Sequence, residues 1–185
     1  PAFIANRVGV FGIMSLFHLV EKMGLTVEEV DKLTGPVLGR PKSATFRTCD
    51  VVGLDTLIHV ANGLVQGLPN DEAKNLFVLP SYVAKMNENK WFGDKTGQGF
   101  YKKVKSAEGK SEIQALDLKT LEYKPSQKVK FATLELTKPI ENLKDRLKVL
   151  ITGKDKAGDF YRASFFGLFQ YVSNRIPEIS DELYR

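Results

Sequence analysis

A mainly α-helical chain is predicted by three observations. Apolar residues recur at three- and four-residue spacing through several long stretches. Gly and Pro fall mostly at the ends of those stretches. Strand-like signals are confined to one short region. The first helix should run from about Ala5 to Met23, with Val8, Phe11, Leu16, Leu19 and Val20 on its stripe and Gly24 placed to end it. Thr26 and Glu29 form a T-x-x-E capping box that starts a second helix through about Leu33. Gly35, Pro36, Gly39 and Pro41 break the chain, and a short helix is expected around Ser43 to Val51. Leu54 to Gln66 reads as a helix, closed by Gly67 and Pro69. Short helices follow at Asp71 to Phe77 and from Pro80 to about Asn89.

Two closely spaced glycines, Gly97 and Gly99, make a tight turn before the aromatic pair Phe100-Tyr101. Lys102 to Lys110 is polar and basic and reads as a linker. Ile113 to Asp117 and Leu121 to Tyr123 read as a small β-hairpin that must rest on something else to be stable. Pro139 to Ile151 is an amphipathic helix, with Ile140, Leu143, Leu147, Leu150 and Ile151 as its stripe. A last apolar helix starts near Asp159 and is stopped by Pro177. Arg7, Phe11 and Gly12 recur at one offset as Arg162, Phe166 and Gly167, which suggests a second, incomplete copy of the first helix. The expected organisation is therefore a helical domain over 1–105, a linker with the hairpin and amphipathic helix over 106–156, and a partial repeat over 157–185.

The chain has 185 residues, of which 43% are hydrophobic and 26% charged, enough apolar mass for a packed core. Its formal charge of +5 permits a phosphate-bearing partner, either nucleic acid or coenzyme A, and equally a solvated basic surface. No helix-turn-helix or aromatic RNA-binding motif supports the nucleic-acid reading. The single cysteine, Cys49, cannot form an internal disulfide and reads as a small buried residue; a reducing, cytoplasmic setting fits. With two histidines beside it, no metal site is expected. His18 and His59 both sit among apolar residues and read as structural rather than catalytic. The apolar stretch Val8 to Val20 is too short to span a bilayer, and no signal-peptide pattern opens the chain. Neither a G-x-G-x-x-G after a strand nor a phosphate loop is present, so the chain should not carry out hydride transfer alone.

Three stretches carry a family resemblance. Pro1-Ala2-Phe3-Ile4-Ala5-Asn6-Arg7 is similar to P-x-F-I-x-N-R. Asp50-Val51-Val52-Gly53-Leu54-Asp55 is similar to D-x-V-G-L-D. Phe92 to Tyr101 is similar to F-G-x-K-T-G-x-G-F-Y. In this order they resemble the C-terminal helical domain of the 3-hydroxyacyl-CoA dehydrogenases, over about Pro1 to Tyr101. The resemblance implies a helical bundle like the C-terminal domain of 6-phosphogluconate dehydrogenase. It implies NAD-dependent oxidation of (S)-3-hydroxyacyl-CoA to 3-oxoacyl-CoA in fatty acid β-oxidation. It also implies that a catalytic His, the Glu that orients it and the NAD-binding loop lie in a separate N-terminal domain. On that basis, and because no Met opens it, the chain is expected to be a fragment, inactive alone. Gly39-Arg40-Pro41-Lys42-Ser43-Ala44-Thr45-Phe46-Arg47 departs from the short members' G-x-P-M-G-P-F-E-L and looks more like a long, multi-part bacterial branch.

Two site residues follow from the resemblance. Asn6 would face the active-site cleft and donate to the substrate oxygen; the alternative is that Asn6 caps the first helix, where Asn is favoured. Lys95 would lie near the NAD; the alternative is a solvated lysine. Arg7 reads as an anchor. The expected partners are an acyl-CoA substrate and a second copy of the chain, since two wide apolar helix faces would remain partly uncovered. A helical interaction module without chemistry is the competing reading.

Overall fold

A computed structural model describes residues 3–105, 109–176 and 178–179. Among them are eight α-helices and one three-stranded antiparallel sheet, so the mainly helical class that the periodicity predicts holds, with a third strand added to the expected hairpin. Helix α1 (Ile4–Met23) buries Met14, Phe17 and Val20 completely and ends where Gly24 adopts a left-handed φ of 59°. Both halves of the capping box form at the start of α2 (Val27–Thr34): the Glu29 amide donates to Oγ1 of Thr26, and the Thr26 amide donates to the Glu29 carboxylate. Helices α3 (Phe46–Val52), α4 (Leu54–Gly67) and α5 (Ser81–Glu88) complete the first bundle. Between α4 and α5 the expected helix at 71–77 is only a 3-10 turn, Lys74–Phe77. Phe17, Phe46, Phe77 and Phe100 are all fully buried at the centre.

The first part of the basic run, Lys102 to Lys105, is a strand and not a linker. Residues Tyr101–Lys105 form strand β1, paired with β2 (Ser111–Leu116), which pairs in turn with β3 (Tyr123–Pro125). Lysine obscured β1 because its alternation is between exposed lysines and half-buried positions. Charged side chains of this kind are what an unpaired sheet edge tolerates. The boundary expected between 105 and 106 thus falls between two paired strands. A further helix, α6 (Ala132–Thr137), has no clear stripe in the sequence. Helix α7 (Leu143–Thr152) starts after Asn142, whose side chain accepts from the Asp145 amide, rather than at Pro139. Helix α8 (Lys156–Asn174) starts after Asp155, which accepts from the Gly158 amide. One hydrophobic core runs through all three expected segments, from Val10 to Tyr171.

α8 lies along α1, with the rings of Phe11 and Tyr171 stacked at 3.7 Å. The sequence likeness between the two helices does not extend to their surroundings. Phe11 is buried, whereas its counterpart Phe166 is 59% exposed, and Phe169 one turn on is 60% exposed. Arg7 reaches into the bundle, whereas Arg162 turns back to the carbonyls of Ile151 and Gly153. By length and composition alone α1 is apolar enough to cross a membrane, which the shorter stretch Val8–Val20 understated; here one face of it, including Phe11, Met14, Phe17 and Val20, is packed into the core. The expected stop at Pro177 and the opening Pro1-Ala2 lie outside the described residues.

Candidate functional site

Asn6 sits in the first turn of α1 and is exposed. It does not cap the helix. Phe3 occupies the N-cap position, three residues earlier, and the cap makes no side-chain hydrogen bond. The Asn6 amide has no hydrogen-bond partner among the described residues, so its donor capacity remains available at the surface. The adjacent Arg7 is its opposite, only 2% exposed and fully engaged. Its guanidinium donates to Asp71 at 2.8 Å, to the Tyr171 hydroxyl at 3.1 Å and to Glu178 at 2.5 Å. Asp71 also accepts from the Tyr171 hydroxyl at 2.9 Å and from Arg175 at 3.1 Å. Burial alone would raise the Asp71 carboxyl, but Arg7, the Ala73 amide, Tyr171 and Arg175 together hold it below its usual range. The anchoring role expected for Arg7 is what the structure shows. Its partners in α8 and beyond could not be found from local spacing.

The other two motifs fold onto each other. The Asp50 carboxylate is buried and accepts from the amides of Phe100 and Tyr101, each at 2.8 Å. The Leu54 amide donates to the Phe92 carbonyl at 3.0 Å. The glycines follow from this contact. A Cβ on Gly93 would lie 2.2 Å from the Asp50 carbonyl oxygen, and one on Gly99 would lie 2.1 Å from its Oδ1. Burial raises the Asp50 carboxyl to about 6 against the opposing pull of the two amides. The protonation-linked part of Asp50's contribution is therefore full below its ordinary value of 3.8 and is lost as pH rises through about 6, while its hydrogen bonds to the two amides remain.

Lys95 closes the same clasp at its surface. Its Nζ lies 2.5 Å from Oδ1 of Asp55 and 5.9 Å from the Phe92 ring centre. It is thus ion-paired, not simply solvated, yet its side chain stays 46% exposed. Arg47 makes a bidentate pair with Asp94 at 2.6 and 2.8 Å. Asp31 accepts from the amides of Thr45, Phe46 and Arg47 and from the Tyr101 hydroxyl, and so caps α3 from outside. This cap organises the end of the stretch that departs from the short members' pattern. Asn6 and Lys95 share no hydrogen bond and do not line a common cavity among those described.

Other candidates have structural surroundings. His18 is half-buried with Nε2 3.0 Å from the Val78 carbonyl oxygen, as expected, whereas His59 is exposed rather than packed. Cys49 is buried, and burial pushes its thiol up, away from a nucleophilic thiolate. A cavity of about 340 Å³ lies between α1 and α8, walled by Gly9, Gly12, Ile13, Phe165 and Leu168, with Arg40 also lining it.

Comparison with known proteins places these motifs. Residues 3–103, more than half of the chain, match the family described as 3-hydroxyacyl-CoA dehydrogenase, C-terminal domain. The chain belongs to that family. This 3-hydroxyacyl-CoA dehydrogenase C-terminal domain contains all of the motif clasp, and the match runs to the middle of β1. A probable 3-hydroxyacyl-CoA dehydrogenase of Bacillus subtilis is 44% identical over the full chain, which covers 23% of that protein. One from Deinococcus radiodurans is 50% identical over 57% of the chain and 30% of its own length. A putative fatty acid oxidation complex trifunctional enzyme of Rickettsia prowazekii is 25% identical over the full chain, which covers 24% of it. The chain therefore spans about a quarter of the length of these relatives.

Proposed function

We propose that the chain supplies one wall of the active site of an NAD-dependent 3-hydroxyacyl-CoA dehydrogenase that oxidises (S)-3-hydroxyacyl-CoA to 3-oxoacyl-CoA in fatty acid oxidation. The observation that carries this reading is Asn6: an exposed amide without a hydrogen-bond partner, within a matched family domain, on a helix end held by buried ion pairs. Oxidation of the 3-hydroxyl requires a base for the O–H proton and donors that hold the oxygen as it becomes a carbonyl. Asn6 can serve as such a donor. The neighbouring Arg7 cannot be that base, since its guanidinium stays protonated and is bound to Asp71 and Glu178. We assign the base to another part of a protein of the relatives' length.

NAD, when bound, accepts the hydride. Among the described residues no glycine-rich loop joins a strand to a helix to cradle its phosphates, so these residues fit only an edge contact. Lys95 is suited to that contact, being accessible, with Asp55 holding its ammonium in place. The test of the function is NADH formation from a 3-hydroxyacyl-CoA.

The exposed Phe166 and Phe169, the latter stacked on Phe165, favour burial of this face against a second copy of the chain. Sedimentation of the chain at micromolar concentration should then give a dimer that Phe166→Ser with Phe169→Ser converts to monomer. A wild-type monomer at all concentrations would remove the dimer from the account.

A further inference from the structure

We propose that Tyr171, on α8, is a positioning residue for Asn6 and acts through Arg7. This rests on the reading of Asn6 as a substrate-facing donor. Asn6 makes no side-chain hydrogen bond of its own, so only the backbone of α1's first turn aims it. That turn has no side-chain cap at Phe3, and uncapped helix ends fray. What holds it is the side chain of the next residue. Arg7 can only donate, so the Tyr171 hydroxyl accepts from its Nε at 3.1 Å and gives its own single proton to Asp71 at 2.9 Å. One hydroxyl thereby joins the arginine of α1 to the carboxylate that follows α4.

The Tyr171 ring meanwhile stacks on Phe11, one helical turn past Arg7. Arg175 lies 4.8 Å from the other partner in this contact, the Tyr171 ring centre, and donates to Asp71 and Glu178. The ring and the hydroxyl can be separated experimentally, because phenylalanine keeps the stack and removes only the link. Loss of the link leaves the buried Arg7 Nε without an acceptor; Asp71 and Glu178 still hold the terminal nitrogens, but the guanidinium loses the contact that fixes its Nε edge, and the first turn of α1 is held less tightly. A displacement of about 1 Å in a reacting constellation suffices for a large loss of rate.

In a protein of the relatives' length, Tyr171→Phe should lower kcat by about 10-fold and leave KM within about twofold. In an Asn6→Ala background the same change should add less than about twofold, because the group it positions is gone. Equal losses in both backgrounds, or no loss in wild type, would overturn the proposal. A second measurement does not depend on the enzymatic reading. In this chain the Arg7 amide donates to the Phe3 carbonyl at 3.0 Å. Tyr171→Phe should speed its hydrogen exchange by about 10-fold while amides in α5 keep their wild-type rates. Exchange that rises equally throughout the chain, or does not rise at Arg7, overturns the proposal even if Asn6 proves catalytic.

Discussion

Replacing Asn6 with alanine in a protein of the relatives' length is expected to lower kcat for 3-hydroxyacyl-CoA oxidation by roughly 30- to 1,000-fold, with a much smaller change in KM. The magnitude follows from the about 2–4 kcal/mol that one well-placed donor contributes where charge develops. The split between kcat and KM follows from a contact that strengthens in the transition state. Stability should barely move. Asn6 is exposed and makes no hydrogen bond that the substitution could break, and surface changes of this kind stay within about 0.5 kcal/mol. Steady-state kinetics and a thermal melt on the same variant separate the two effects. A normal kcat with a lower melting temperature would show that Asn6 serves the fold and not the reaction.

The largest loss of stability is expected from Asp50→Ala. The substitution leaves the amides of Phe100 and Tyr101 without acceptors, one of them wholly inside the core. Each unpaired buried amide costs about 1–3 kcal/mol, so the fold should lose roughly 2–5 kcal/mol. For a chain of this size each kcal/mol shifts the midpoint by about 2–4 °C, and the melt should fall on the order of 10 °C. Asp50→Asn should not restore it fully, because an amide nitrogen would face one of the two N–H donors. A midpoint within about 2 °C of wild type for Asp50→Ala would mean that the two motifs are not held together by this carboxylate.

The same residues show how far a sequence reading reaches. Thr26, Glu29 and Gly24 act within a few positions of themselves, so the end of α1 and the start of α2 were legible from spacing alone. The three motifs marked the family, but not that two of them form one clasp. Asp50 and Phe100 are 50 positions apart, and nothing in local periodicity joins them. β1 was hidden because its lysines describe solvent exposure, and exposure is shared by linkers and edge strands. Arg7 reads as an anchor from the sequence. Its partners Asp71 and Tyr171 are 64 and 164 positions away in the chain, and only packing brings them together. The likeness of α8 to α1 was a likeness of apolar composition. Phe11 turns inward and Phe166 outward because α8 packs through Phe160, Tyr161 and Tyr171 instead.

The most direct test is NADH formation from NAD and a 3-hydroxyacyl-CoA, measured for a protein of the relatives' length and for this 185-residue chain alone. The longer protein should turn over, and Lys95→Met in it should raise KM for NAD several-fold while leaving KM for the acyl-CoA nearly unchanged. The chain alone should form no NADH, because its sequence has no G-x-G-x-x-G to cradle the cofactor phosphates and we assign the base to another part of the longer protein. An inactive longer protein, or turnover by the chain alone, would contradict the assignment of Asn6 to one wall of a shared active site.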